Sequence, residues 1–196
     1  MLTTDARSYF QCYNPRTFLT LTPHISLGAA YPYALGAKLG VDLIGPDAHT
    51  PVVAICGDGG FICTDISNLP LRCDSREFDV SGAETACVSD NIAELATAVQ
   101  YDIPAIALVF NDNAYGNVKR AQEDNYGGRV IGTELVNPDF VALAESFGVK
   151  AARVPVAEDG GEFGSAEELG KLLALAVGER KPWLIEIPCG PMERTY

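Results

Sequence analysis

Asp58 and Asp112 are the residues of this 196-residue chain whose types and spacing best suit chemistry, because each stands where an apolar run stops at turn residues. Pro51-Val-Val-Ala-Ile-Cys56 ends in Gly57-Asp58-Gly59-Gly60, and Ile103 to Phe110 ends in Asn111-Asp112-Asn113. In a parallel open sheet, ligands bind outside the carboxyl ends of the strands, so two such carboxylates could project into one crevice. Hard oxygen ligands suit Mg²⁺, which keeps few protein ligands and completes its octahedron with water and phosphate oxygens. Gly57, Gly59 and Gly60 would let backbone amides approach an anion, and a helix after the turn would add its positive N-terminus. Together these features describe a Mg²⁺–diphosphate site. Strand-ending Asp and Gly are also common as plain turn formers, so GDGG alone leaves both readings open. The absence of GxGxxG and GxxxxGK[ST] argues against a nicotinamide or P-loop nucleotide site.

The elements that must position these residues alternate short β-branched runs with longer segments of helical period, the pattern of βαβ units around a parallel sheet. Ile92, Leu95, Ala96, Val99 and Gln100 predict an amphipathic helix joining the two strands. Asn137-Pro138-Asp139 reads as an N-cap, a first-turn proline and a first-turn acid, starting a helix that should end at Gly148. Lys150 to Val156 and Pro182 to Pro188 read as further strands, with a helix over Ala166 to Val177 between them. Nearer the N-terminus, Arg16 to Thr20 reads as a short strand and Leu27 to Val41 as a small-residue helix. The expected fold is three-layer α/β/α with a mostly parallel sheet, in one domain over residues 1–196. Residues 62–91 break the rhythm: they show no sustained period and hold six acidic residues, two basic residues and half of the cysteines.

Composition narrows the partners. With 14 basic against 26 acidic residues the net charge is −12, which would repel a phosphate backbone, so no nucleic acid is expected. The apolar run at Ile103–Phe110 is far too short to cross a bilayer, so no membrane is expected either. The opening MLTTDARSYF carries Asp5 and Arg7 where a secretory signal needs an apolar run, and the chain reads as intracellular and cytoplasmic. Cys12, Cys56, Cys63, Cys73, Cys87 and Cys189 form no CxxC pair, and only His24 and His49 could complete a metal set. Neither zinc nor a disulfide framework is expected.

GDGGF at 57–61, ELATAVQYDIPAIALVFNDNAYGNV at 94–118 and RVIGTELVNPDFVALAESFGV at 129–149 closely resemble the C-terminal cofactor-binding domain of thiamine diphosphate enzymes. The nearest group is similar to acetolactate synthase large subunits. PRTFLT and LGAAYPYALGAKLG at 27–40 are similar to the start of that domain, so the resemblance covers nearly all of the chain except 62–91. It implies that Asp58, Asp112 and the Ala114 carbonyl ligate Mg²⁺, which bridges the diphosphate. It also implies cofactor contacts from Leu27, Gly57, Asp58, Gly59, Gly60, Phe61, Asn111, Asp112, Ala114, Tyr115 and Gly116. Leu27 matches the apolar residue that bends the cofactor, with an ordinary core leucine as the other reading. Tyr115 and Gly116 are expected to shape the turn around the metal.

Four departures bear on function. Asn111-Asp112 replaces the family's Asn-Asn, adding a negative charge while keeping an oxygen ligand. His24 and Ile25 add bulk in the 21–26 loop, where relatives carry glycines. Ala121 stands where acetolactate synthases carry a tryptophan, which leaves acetolactate specificity unassured. Asp58 and Asp112 lie 54 positions apart, twice the family interval, and an irregular insertion at about 62–91 accounts for the excess. That insertion reads as a surface loop, a regulatory element or translated intron sequence.

The activating glutamate of the family sits on an N-terminal pyrimidine domain, and no segment here resembles it. The resemblance therefore implies no catalytic residue on this chain; Glu94, Glu123 and Glu134 lie on the diphosphate side. The expected function is the diphosphate-side half of a 2-oxo acid decarboxylase or acetolactate synthase-like enzyme. It would need a pyrimidine domain from a partner chain or a missing N-terminal region, a small 2-oxo acid, and assembly as a homo-oligomer. Lys119 and Arg120 could meet a substrate carboxylate or be solvated helix charges. The alternative is a noncatalytic remnant, or a truncated or mis-spliced product, that keeps the fold without turnover.

Overall fold

The computed structural model describes residues 10–15, 17–19, 27–44, 50–62, 90–156 and 163–190. The apolar runs form four strands, β1 (Val52–Gly57), β2 (Ala105–Asn111), β3 (Lys150–Arg153) and β4 (Trp183–Pro188), paired in parallel in the order β1-β2-β4-β3. Around them lie α1 (Ala30–Ile44), α2 (Asp58–Ile62), α3 (Asp90–Gln100), α4 (Gly116–Asn125), α5 (Phe140–Ser146) and α6 (Ala166–Glu179).

Strand alternation sorts the core into two layers. Ala54, Cys56, Ala105, Ala107, Val109 and Leu184 face one side, where they meet Tyr31 and Leu35 of α1, Phe61 of α2, Leu95 of α3 and Phe140 of α5. Ile106, Leu108, Trp183, Ile185 and Ile187 face the other, against Ala176, Leu169, Leu172 and Leu173 of α6. Helices thus cover both faces of a parallel sheet, as expected from near-continuous apolar strands. The connection through α3 and that through α5 run on one face, while α6 returns from edge strand β3 to β4 on the other. Right-handed crossovers require the return helix to lie on the opposite face where the strand order reverses. The reversal leaves the carboxyl ends of β1, β2 and β4 side by side.

Several boundaries differ from expectation, each for a local reason. Leu27 and Gly28 form a turn, Gly28 takes φ 90, and α1 begins only at Ala30. Residues 17–19 of the expected strand Arg16–Thr20 are bends or coil; Arg16 and Thr20 lie outside the described residues. Asn137 is not the cap of α5. Asp139 takes that role, its Oδ1 accepting from the Val141 and Ala142 amides at 3.1 and 3.3 Å. Gly148, at φ 82, follows the C-cap Phe147 as expected. Strand β3 stops at Arg153, with Val156 making only an isolated bridge to Gly164. Most of the 62–91 segment and all of the 21–26 loop lie outside the described residues.

Candidate functional site

Asp58 follows β1 directly as the first residue of α2, a short helix anchored by the fully buried Phe61. The Phe61 ring packs edge-on against Tyr31 at 6.2 Å and Phe140 at 6.0 Å between centroids. Burying such a ring contributes about 1.5–3 kcal/mol. Expected at the cofactor, Phe61 has its ring in the core, which leaves only its main chain for a ligand. The anchor fixes Asp58, which is 1% exposed, with Oδ1 accepting from the Gly59 amide at 2.8 Å.

Asp112 follows β2 and accepts at Oδ1 from the Ala114 amide at 3.2 Å. Burial first, and then the Asp58 charge, push its carboxyl up to about 6. The two carboxylates are therefore close enough to repel, and among the described residues no salt bridge reaches either. A proton on Asp112, or a cation between the two, would relieve like charges buried together. Among the described residues no cluster of three or more His, Cys, Asp or Glu could hold a metal. A site here must draw its further ligands from main chain, water or a bound anion, as Mg²⁺ sites commonly do.

The loop after β2 supplies such a main-chain group. Asn113 adopts φ 54, a left-handed conformation that asparagine tolerates. Ala114 pairs with Glu134 as an isolated antiparallel bridge, flanked by bonds from Tyr115 N to Thr133 O and from Leu135 N to Asn113 O, each 2.8 Å. Neither flanking bond uses the Ala114 carbonyl. Two glycines allow the close approach. A Cβ at Gly59 would lie 2.7 Å from the Tyr115 ring, and one at Gly116 would lie 2.6 Å from Asp112 Oδ2. At Gly57 and Gly60 a Cβ would meet nothing within 4 Å, so those two leave open space beside Asp58.

Two site neighbours escaped the sequence reading. Asn137 Nδ2 lies 2.6 Å from Asp58 Oδ2 and 2.7 Å from Asn111 Oδ1. Cys189 donates its amide to Asn111 O at 2.9 Å, and burial, followed by the charges of Asp112 and Asp58, pushes its thiol up to about 12. Without a metal beside it the thiol stays protonated at neutral pH. Leu27 is 51% exposed ahead of α1, which rules out the ordinary core leucine. Lys119 pairs with Glu134 at 3.6 Å, and Arg120 Nη2 reaches Asn117 Oδ1 at 3.4 Å, so both engage neighbours at the surface. Cys12, Cys56 and Cys189 are free thiols, and among the described residues no helix is long and apolar enough to cross a membrane.

Comparison with known proteins identifies the family and the fold. The sequence profile of the thiamine pyrophosphate enzyme C-terminal TPP-binding domain matches residues 1–71 and 85–187. The probable acetolactate synthase large subunit of Methanocaldococcus jannaschii is 31% identical over 94% of this chain and 24% of its own length. Sulfoacetaldehyde acetyltransferase of Castellaniella defragrans is 27% identical over 94% of this chain and 24% of its own. Among solved structures, the thiamine diphosphate-dependent 4-hydroxybenzoylformate decarboxylase of Rhodococcus jostii RHA1 superposes with a TM-score of 0.59 at 25% identity, covering 86% of this chain and 24% of that one. Benzoylformate decarboxylase from Polynucleobacter necessarius, at 23% identity and a TM-score of 0.62 over 87% of this chain and 25% of that one, shows the same fold. The chain spans about a quarter of the length of the curated relatives it matches. It belongs to the family of C-terminal TPP-binding domains of thiamine pyrophosphate enzymes.

Proposed function

We propose that this domain binds Mg²⁺–thiamine diphosphate and forms the diphosphate-side half of a 2-oxo acid decarboxylase or acetolactate synthase-like enzyme. The observation that carries the reading is the approach of Asp58 and Asp112 from neighbouring strand ends with no basic side chain paired to either among the described residues. The donor set fits a hard divalent cation: carboxylates at Asp58 and Asp112, and the Ala114 carbonyl left out of the flanking bridge bonds. The buried Asn137 Oδ1 has no hydrogen-bond partner, and water on a cation is a donor of the kind it lacks. Gly57 and Gly60 would admit the diphosphate beside Asp58, and exposed Leu27 would bear on the rest of the cofactor. Bound thiamine diphosphate supplies the carbanion and the electron sink for decarboxylating a 2-oxo acid.

This domain would bind and orient; activation would come from a pyrimidine domain on a partner chain or a missing N-terminal region, in a homo-oligomeric full enzyme. The coverage of only a quarter of the relatives supports that division. The break in the profile match at 72–84 supports an insertion within about 62–91 of a single domain. Melting of the purified chain tests the reading, since a ligand that binds only the folded state raises the melting temperature. Thiamine diphosphate with Mg²⁺ should raise it and either component alone should raise it less. No shift with the pair would favour the noncatalytic remnant.

A further inference from the structure

Asn137 reaches both strand-end loops at once. Its Nδ2 lies within hydrogen-bond distance of Asp58 Oδ2 at 2.6 Å, Asn111 Oδ1 at 2.7 Å and Asn113 Oδ1 at 3.3 Å. An amide nitrogen carries two hydrogens, so the two short contacts take them, and the one to Asp58 is charge-assisted. The partners are fixed in turn. Asn111 Nδ2 donates to Glu186 Oε1 at 2.8 Å, which turns the Asn111 carbonyl oxygen towards Asn137. Glu186 is 3% exposed, and its Oε2 accepts from Arg153 Nε at 2.8 Å. The main chain delivers Asn137 to this place, because residues 133–135 pair with the loop after β2 two positions earlier.

We propose that Asn137 is a positioning residue of the cation site, its amide locking the Asp58 carboxylate against Asn111 before the ion arrives. The inference rests on the reading of Asp58 and Asp112 as cation ligands. A locked carboxylate favours Mg²⁺, which demands near-ideal octahedral geometry, over the larger Ca²⁺, which tolerates irregular coordination. Asn137 therefore sets ion preference as well as affinity.

Calorimetric titration of the full chain with thiamine diphosphate, in saturating Mg²⁺ or Ca²⁺, tests this. Outer-shell partners of metal ligands typically cost roughly 10- to 100-fold in affinity when removed, and Asn137→Ala should lose that much with Mg²⁺ and only about threefold with Ca²⁺. Asn137→Ser, which keeps one donor, should fall between, and Val136→Ala, a fully exposed neighbour on the same strap, should match the native chain. Melting temperatures without ligand report folding; should the alanine variant fail to fold, the serine variant carries the comparison. Native affinity in Asn137→Ala, or an equal loss with both ions, would overturn the inference. Failure of the unsubstituted chain to bind with either ion would overturn the cation-site reading itself, and this inference with it.

Discussion

At the amino end of the strands the Lys38 ammonium is buried, and it donates to Asp42 Oδ1 at 2.7 Å and to the Thr50 carbonyl at 3.1 Å. At the carboxyl end Asp58 and Asp112 are drawn together, and among the described residues neither has a cationic partner. Among the described residues the sheet thus carries buried charge at both ends and answers it at only one. A neutralised charge needs nothing further and reads as architecture. Like charges held together cost stability, and a cation bound there, as proposed, would supply the missing sign.

Substitutions separate the two ends. Asp42→Ala leaves the buried Lys38 ammonium with the Thr50 carbonyl but without its carboxylate, and should cost about 2 kcal/mol in urea unfolding, discounted because Asp42 is partly exposed. Cofactor affinity should not change. A finding that the melting point is unaffected would remove the amino end as the balanced half of the comparison.

Asp112→Asn should act in the opposite direction, stabilising the ligand-free chain by about 1 kcal/mol at pH 8 once its half-exposed position is allowed for. The sign follows from proton linkage. The folded Asp112 carboxyl, pushed up to about 6, holds a proton that the unfolded one has released above its ordinary 3.8. Its contribution to stability therefore falls as pH rises from 4 through 6. The asparagine variant has no such dependence, so its advantage should appear on raising pH through 6 and vanish below 4. Added Mg²⁺–thiamine diphosphate should raise the melting point of both chains, since asparagine at 112 keeps an oxygen ligand, and should narrow the variant's advantage by neutralising the native carboxylates. An advantage that persists at pH 4 would show that it does not come from ionising the Asp112 carboxyl.

A smaller effect is expected away from both ends. Lys119 and Glu134 are exposed to 37% and 81%, and Glu134→Gln should change stability by less than about 1 kcal/mol and leave cofactor affinity alone. A large loss of affinity would move Lys119 into the site.

Much of the fold was legible because its strands are apolar runs with abrupt polar ends: β1, β2 and β4 lie within a residue or two of expectation, as does the helix before β4. The approach of Asp58 to Asp112 was legible for the same reason, since both stand where strands stop. Asn137 was not. In sequence Asn-Pro-Asp is a helix start, and only the fold shows Asp139 capping α5 while Asn137 spans 79 positions to Asp58. Glu186 was equally hidden. Within PWLIEIP it reads as one polar residue of an apolar strand, and its partners Asn111 and Arg153 lie 75 and 33 positions away. Cys189 gave no signal either, because its place beside two carboxylates follows from strand pairing. Local pattern shows where elements end; which ends meet is a property of the sheet.

Anomalous scattering from crystals grown with Mn²⁺ and thiamine diphosphate addresses the shared ion most directly. A single peak within coordination distance of carboxylate oxygens from both Asp58 and Asp112, and of the Ala114 carbonyl, is the predicted result. A cofactor bound with no peak between those side chains, or with the metal elsewhere, would contradict it.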